Sequence, residues 1–166
     1  MDRHLPIREV FRKDVGSRVK NPYRRQGKYL SGTRCPDCGL LFLNGTWKWS
    51  GAPAGQKLRS KKCPACLQIQ DNYPGGMLHL GGTFLPRHRK EILKCVRNAE
   101  KATLAEHPLG RIFRTEEAQG EIVLSSTTEH LVSRIGKALR DAFGGELHIK
   151  YGPEVEWAIA RWHKDE

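Results

Sequence analysis

Two short cysteine pairs constrain this chain more than any other feature. Cys35-Pro36-Asp37-Cys38 and Cys63-Pro64-Ala65-Cys66 each set two thiols two residues apart, and 24 residues separate the pairs. Thiolates at that spacing on a tight turn can both face one ion, and two such turns make a closed tetrahedral site of four sulfurs. Pro36 stiffens the first turn, and Gly39 permits the positive φ that often follows a second ligand. The second pair lacks that glycine and has Leu67 in its place. The expectation is one structural Zn²⁺ held by Cys35, Cys38, Cys63 and Cys66. Iron in a rubredoxin-like site, two redox-active dithiols and disulfides are the alternatives, since four sulfurs alone do not separate the metals. A catalytic zinc needs an open coordination position, which a four-thiolate set does not leave. Cys95, the fifth cysteine, is expected to be a buried free thiol on a helix face.

The residues between the pairs read as a small β-hairpin. Leu40 to Leu43 and Thr46 to Trp49 flank Asn44-Gly45, a dipeptide suited to the type I′ turn with its two positive φ values. A Gly/Ala/Pro loop from Ser50 to Gly55 and a basic return from Lys57 to Lys62 lead to the second pair. A hairpin this small has too little core to stand unaided, so the metal is expected to supply the missing folding energy.

Charge is distributed unevenly. The chain of 166 residues carries a formal +11, with 15 Lys/Arg against 4 Asp/Glu in residues 1–70 and 14 against 14 in residues 71–166. Four thiolates and one Zn²⁺ sum to −2, which leaves the excess largely intact. A one-signed field of this kind favours a polyanionic partner, nucleic acid above all. Residues 1–34 hold 10 Lys/Arg and 3 acids with few apolar residues, so they read as an arm that is disordered when free. Its candidate phosphate contacts are Arg8, Arg12, Lys13, Arg18, Lys20, Arg24, Arg25, Lys28 and Arg34. In the ribbon, at 35–72, the candidates are Lys48, Lys57, Arg59, Lys61 and Lys62, with Trp47 and Trp49 on one hairpin face as a stacking platform. One of the two indoles is also a candidate for the small core under the metal. Arg87 and Arg89, at the start of a helix whose dipole disfavours cations there, complete the set.

Residues 73–166 read as an α+β domain. Met77 to Leu80 is a short strand, and a helix from about Pro86 to Glu106 sets Ile92, Val96, Ala99 and Thr103 on one face. A hairpin follows from Arg111 to Glu116 and Glu121 to Ser125 across Gln119-Gly120. Ser126 to Glu129 reads as a capping box, opening a helix that buries Leu131, Ile135, Ala138, Leu139, Ala142 and Phe143 and stops at Gly144-Gly145. Strands from Glu146 to Tyr151 and from Val155 to Arg161 complete a ferredoxin-like β-α-β-β-α-β order with one extra strand. His79, His88, His107, His130, His148 and His163 show no metal-ligand spacing, and no phosphate loop or nucleophile motif is present. The chain is therefore expected not to be an enzyme. No stretch nears the roughly 18 apolar residues of a membrane span, and no apolar run follows the first basic residues, so a soluble cytoplasmic protein without a membrane or small-molecule partner is expected.

Several of these segments resemble a known family. The two cysteine pairs, the run Tyr73 to Gly82 and the run Gly120 to Leu139 resemble the zinc-ribbon and ferredoxin-like region of Nmd-type large ribosomal subunit export adaptors, and more closely a group of short bacterial proteins related to them. The similarity spans about residues 35–151, and only the cysteine pairs carry over residue by residue. It implies a ribosome ligand that meets rRNA, and ribosomal protein, on the subunit-joining face or in the tRNA sites, as a hibernation or assembly factor. The chain departs from the adaptors in having one metal site, no further C-terminal domains and an added basic arm. A zinc-ribbon DNA-binding regulator is the alternative from the residues themselves, although no helix-turn-helix is present. An enzyme acting on RNA is a third.

Overall fold

The computed structural model describes residues 21–25, 29–49, 51, 54–152 and 156–166. Arg8, Arg12, Lys13, Arg18, Lys20, Lys28 and the side chain of Arg25 lie outside the described residues, as does most of the expected arm. The fold is mixed α+β, with two mixed sheets and five helices among the described residues.

The chain enters through a single helical turn, α1 (Pro22–Arg25), and β1 (Thr33–Arg34). The hairpin β2 (Leu41–Leu43) and β3 (Thr46–Lys48) turns through Asn44 and Gly45, whose φ values of 49° and 82° are the two positive ones a type I′ turn requires. β4 (Arg59–Ser60) closes a sheet of order β3-β2-β1-β4, with β1 and β4 parallel. The ribbon sheet thus takes in residues ahead of Cys35. Further upstream, Tyr23 is buried, its ring 5.1 Å from that of Tyr73 and its hydroxyl donating to Asp71 at 2.7 Å.

A helix that the sequence pattern does not predict follows, α2 (Pro64–Gln70). The second domain then begins with β5 (Gly76–Gly81). The expected helix from Pro86 is split into α3 (Phe84–Arg87) and α4 (Arg89–Glu106) by His88, whose φ of −111° leaves the helical region. Ile92, Val96 and Thr103 are buried on α4, as its periodicity predicts. β6 (Ile112–Ala118) and β7 (Glu121–Ser126) turn through Gln119 and Gly120, again with two positive φ values. α5 (Glu129–Phe143) buries Leu131, Val132, Ile135 and Leu139 and ends at Gly144, where φ is 76°.

Two sequence expectations about α5 shift. Thr128, not Ser126, is the N-cap, its oxygen accepting from the Leu131 amide at 3.4 Å. Ser126 still lies in β7, so Glu129 becomes the first helical residue rather than the reciprocal partner of a capping box. Ala142 is exposed because the buried stripe tapers before the helix ends.

The last strands are β8 (Glu146–Tyr151) and β9 (Ala158–His163), in a sheet of order β6-β7-β5-β9-β8. A ferredoxin-like sheet would set β8 directly beside β5. Here β9 lies between them, parallel to β5 and antiparallel to β8. The burial of side chains explains the order. Ala158, Ala160 and Trp162 of β9 are fully buried, and Ala160 and Trp162 align with Leu78 and Leu80 of β5, whereas Glu146, His148 and Lys150 of β8 are exposed. An apolar strand takes the interior place, and a charged one blunts the edge. Helices α4 and α5 cover one face, over a core that includes Leu78, Leu80, Ile92, Leu124, Ile135 and Trp162. The buried Trp162 indole donates to the Gly144 carbonyl at 2.9 Å, so its one polar atom is satisfied. Cys95 packs partly buried against this core. No helix among the described residues is long and apolar enough to cross a membrane.

Candidate metal centre

The two cysteine pairs arrive on different local structures. In the first, the Gly39 amide donates to the Cys35 carbonyl at 3.0 Å and the Cys35 amide to Leu40 at 2.8 Å, with Gly39 at φ 80°. That turn needs its glycine. In the second, Cys63 is the N-cap of α2, Pro64 occupies the first turn, and the Cys66 amide points at the Cys63 sulfur at 3.5 Å. Leu67 follows the second ligand in a helix, where φ is negative, and this accounts for the missing glycine.

Together the four sulfurs lie within 4.8 Å of one another, with Cys35, Cys63 and Cys66 buried. The Cys38 and Cys63 sulfurs are 3.7 Å apart. Sulfurs bound tetrahedrally at about 2.3 Å from one ion would be about 3.8 Å apart, so the residues fit a structural metal site. Burial pushes the Cys63 thiol well above its ordinary range and Cys66 up to about 11, crowding by neighbouring sulfurs adding to both. Cys35 is also buried, but amides of Cys63, Cys38 and Asp37 outweigh that and bring it down to about 7. A cation among the sulfurs would stabilise the thiolate forms that burial, and then crowding, disfavour at Cys63 and Cys66.

An aromatic cluster floors the site. Tyr29, Phe42 and Trp47 meet with centroid separations of 4.8–5.6 Å, and the Tyr29 hydroxyl donates to the Lys62 carbonyl at 2.9 Å. Trp47 is 8% exposed and Trp49 48%, so the two indoles of the expected platform part company. Trp47 belongs to the small core. Trp49 lies on the surface, its indole N–H donating to the Leu104 carbonyl at 3.2 Å.

The expected phosphate contacts divide in the same way. Arg24 is paired with Glu129 at 2.7 Å, Arg87 with Glu166, and Arg89 with Glu117. Lys62 is 3.0 Å from Asp37, and the Lys61 ammonium sits 4.8 Å over the Tyr29 ring. Arg34, Lys48, Lys57 and Arg59 are exposed, with no carboxylate partner among the described residues. Arg34 and Lys48 flank Leu41 in register across β1, β2 and β3, so they share one face of the ribbon.

One residue that sequence reasoning does not single out lies at the centre. Arg111 of the second domain places its Nη2 3.2 Å from the Cys38 sulfur and its Nη1 3.5 Å from the Cys66 sulfur. Burial opposes the charged guanidinium, but the sulfurs of Cys38, Cys63 and Cys66 outweigh it and leave Arg111 more firmly protonated than a free arginine. Nothing in a lone arginine before a strand marks it for this role. Around it, Leu109 packs on the ribbon core and the Gln68 amide donates to the Thr127 carbonyl at 2.8 Å. A cleft of about 600 Å³ runs between the two units, walled by Tyr23, Tyr29, Phe42 and Trp47 on one side and by Leu109 and Thr128 on the other.

No family model matches the chain, and neither a curated protein nor a solved structure matches it. The fold and the site define it by class, as an α+β protein with a basic ribbon built around a four-cysteine cluster.

Proposed function

We propose that this is a cytoplasmic, non-enzymatic zinc protein that binds rRNA on the ribosome, as a hibernation or assembly factor, with the α+β unit as a ferredoxin-like variant that positions the ribbon. The observation that carries the reading is the exposed set Arg34, Lys48, Lys57 and Arg59, free of carboxylate partners among the described residues, on a ribbon whose cysteine quartet fits one structural Zn²⁺. Arg24, Arg87, Arg89 and Lys62 have acids close at hand, so Arg34, Lys48, Lys57 and Arg59 are better placed than they are to meet phosphate. Trp49, half-exposed and next in the chain to Lys48, offers a π-face to an unpaired base, and the aromatic-walled cleft offers further ring edges. The resemblance of the cysteine pairs, Tyr73 to Gly82 and Gly120 to Leu139 to the export adaptors points to the subunit-joining face or the tRNA sites. Ribosomal proteins would be secondary partners.

The test is sucrose-gradient sedimentation of the tagged chain in lysate from growing and starved cells, at low and high salt. Comigration with a subunit or whole ribosome that weakens as salt rises supports the reading, because phosphate contacts release counterions. A chain that stays at the top of every gradient refutes it, and strong preference of the purified chain for duplex DNA over structured RNA would replace it with the DNA-binding regulator.

A further inference from the structure

Arg111 is the only described cation whose fork reaches the cysteine cluster, and it does so from another unit of the fold. Its backbone belongs to the α+β domain. The Arg111 amide donates to the Thr127 hydroxyl at 2.9 Å, and the Thr127 amide donates back to the Arg111 carbonyl at 3.0 Å. Its Nε donates to the Pro108 carbonyl at 3.2 Å, which aims the guanidinium. The two Nη groups then divide between the cysteine pairs, one on Cys38 and one on Cys66. The guanidinium carbon lies 5.6 Å from the Trp49 ring, and Trp49 is itself tied to Leu104 of α4.

Three physical consequences follow from a metal at this site. A four-thiolate Zn²⁺ centre carries −2 in a mostly buried place, where uncompensated charge is costly. A guanidinium halves that charge and satisfies sulfur lone pairs. The metal in turn fixes the distance between the Cys38 and Cys66 sulfurs, and the rigid planar fork of Arg111 gives each its own fixed N–H group, whereas a lysine would offer one shorter-reaching nitrogen with rotating donors. Finally, partners outside the ligand sphere of a metal commonly change its affinity by 10–100-fold.

We infer that Arg111 is the outer partner of the metal centre and clamps the ribbon to the α+β domain, so that metal occupancy and the docking of the two units reinforce each other. This rests on the metal reading given above. Coupling of this kind is reciprocal. The metal holds the sulfurs where Arg111 can bridge them, and Arg111 holds the centre against release. Loss of the metal frees the ribbon from the second unit as well as loosening the ribbon itself.

The experiment uses the full chain as wild type, Arg111→Ala, Arg111→Lys and, as a remote control, Arg134→Ala. Metal content is measured by native mass spectrometry, metal release by the rate of transfer to a chelator, and the relative orientation of the units by residual dipolar couplings. Wild type and Arg134→Ala are expected to hold one Zn²⁺, release it slowly and fit one alignment tensor. Arg111→Ala is expected to release the ion at least 10-fold faster and to need separate tensors for the ribbon and the α+β unit. Arg111→Lys keeps the charge and the stem, so it covers the case in which the alanine variant fails to fold. It should still lose the single tensor, which a general electrostatic or packing role would spare. Release rates and a single tensor unchanged in both Arg111 variants would overturn the clamp while leaving the metal reading intact. A wild-type chain that takes up no metal would overturn both.

Discussion

The guanidinium of Arg111 reaches the sulfur of Cys38 at 3.2 Å across 73 positions of sequence. It joins two units that also meet, among the described residues, through Leu109, the Gln68–Thr127 and Trp49–Leu104 hydrogen bonds, the Arg24–Glu129 pair and the Arg114–Asn72 hydrogen bond. It also means that the cysteine cluster is part of a joint, and that the ribbon's stability is tied to a residue of the larger domain. The larger domain has its own core of Leu78, Leu80, Ile92, Ile135 and Trp162, remote from the cysteines.

Metal removal should therefore act unevenly. A structural zinc site supplies on the order of 10–16 kcal/mol of folding free energy, while the ribbon's own core is six buried residues, three of them cysteines of the cluster. Chelation, or Cys63→Ser, is expected to collapse amide dispersion for the ribbon while the β5 to β9 sheet keeps its hydrogen-exchange protection. Two-dimensional NMR before and after chelation reads this directly. Simultaneous loss of both units would show that the α+β core cannot stand without the ribbon.

The sequence makes some of this legible and hides the rest for physical reasons. Asn44-Gly45 and Gln119-Gly120 announce their turns because positive φ is a local demand that few residues meet. The cysteine quartet is legible because ligand spacing is also local. The helix α2 is not, since seven residues are too few for periodicity to speak and its start is marked by a cysteine that also serves as cap. The insertion of β9 is hidden because pairing order depends on which strand carries the apolar face, a comparison between segments rather than within one. The neutralisation of Arg24, Arg87 and Arg89 depends on Glu129, Glu166 and Glu117, which lie 105, 79 and 28 positions away. The role of Arg111 is hidden for the same reason.

That division of charges leads to a contrast in RNA binding. The double variant Arg34→Gln/Lys48→Gln removes two unpaired cations from one ribbon face and should weaken binding to structured rRNA. The slope of log affinity against log salt should fall by about 2, near 0.9 for each phosphate that is no longer neutralised. Arg87→Gln/Arg89→Gln removes cations already held by Glu166 and Glu117, so the slope should change by less than half as much. Filter binding across a salt series separates the two. Equal losses would place the helix start in the interface on the same footing as the ribbon.

Close backbone approach makes Gly75 a sensitive position. A Cβ there would stand 2.3 Å from the Thr127 carbonyl oxygen. The backbone cannot yield easily, because the Gly75 amide is bonded to Ser126 at 2.9 Å and its carbonyl to Ala158 at 3.2 Å. Gly75→Ala is expected to destabilise by about 1–3 kcal/mol, the usual scale of overpacking. Gly136→Ala makes a useful comparison. Its Cβ would meet Leu147 Cδ1 at 2.7 Å, the far end of a flexible side chain, and alanine favours the helix. Urea unfolding should show a lowered midpoint for Gly75→Ala with its slope unchanged, and a much smaller shift for Gly136→Ala.

Acid should weaken the fold through the His107–His130 pair, whose rings stand 4.8 Å apart at the start of α5. Partial desolvation where the His130 ring packs lowers the tendency of this otherwise exposed group to take a proton, and His107, Arg134 and Lys137 lower it further, against the opposing pull of Glu129. The unfolded chain protonates this ring at the ordinary value near 6.5, and the folded chain only at lower pH. Between the two the unfolded state binds more protons, so stability is full above the ordinary histidine range and is lost as pH falls through it. Thermal midpoints measured from pH 7.5 downward should drop across that interval for wild type, and His130→Gln should flatten the drop without altering the midpoint at the upper end. An unchanged slope in His130→Gln would assign the acid sensitivity to other groups.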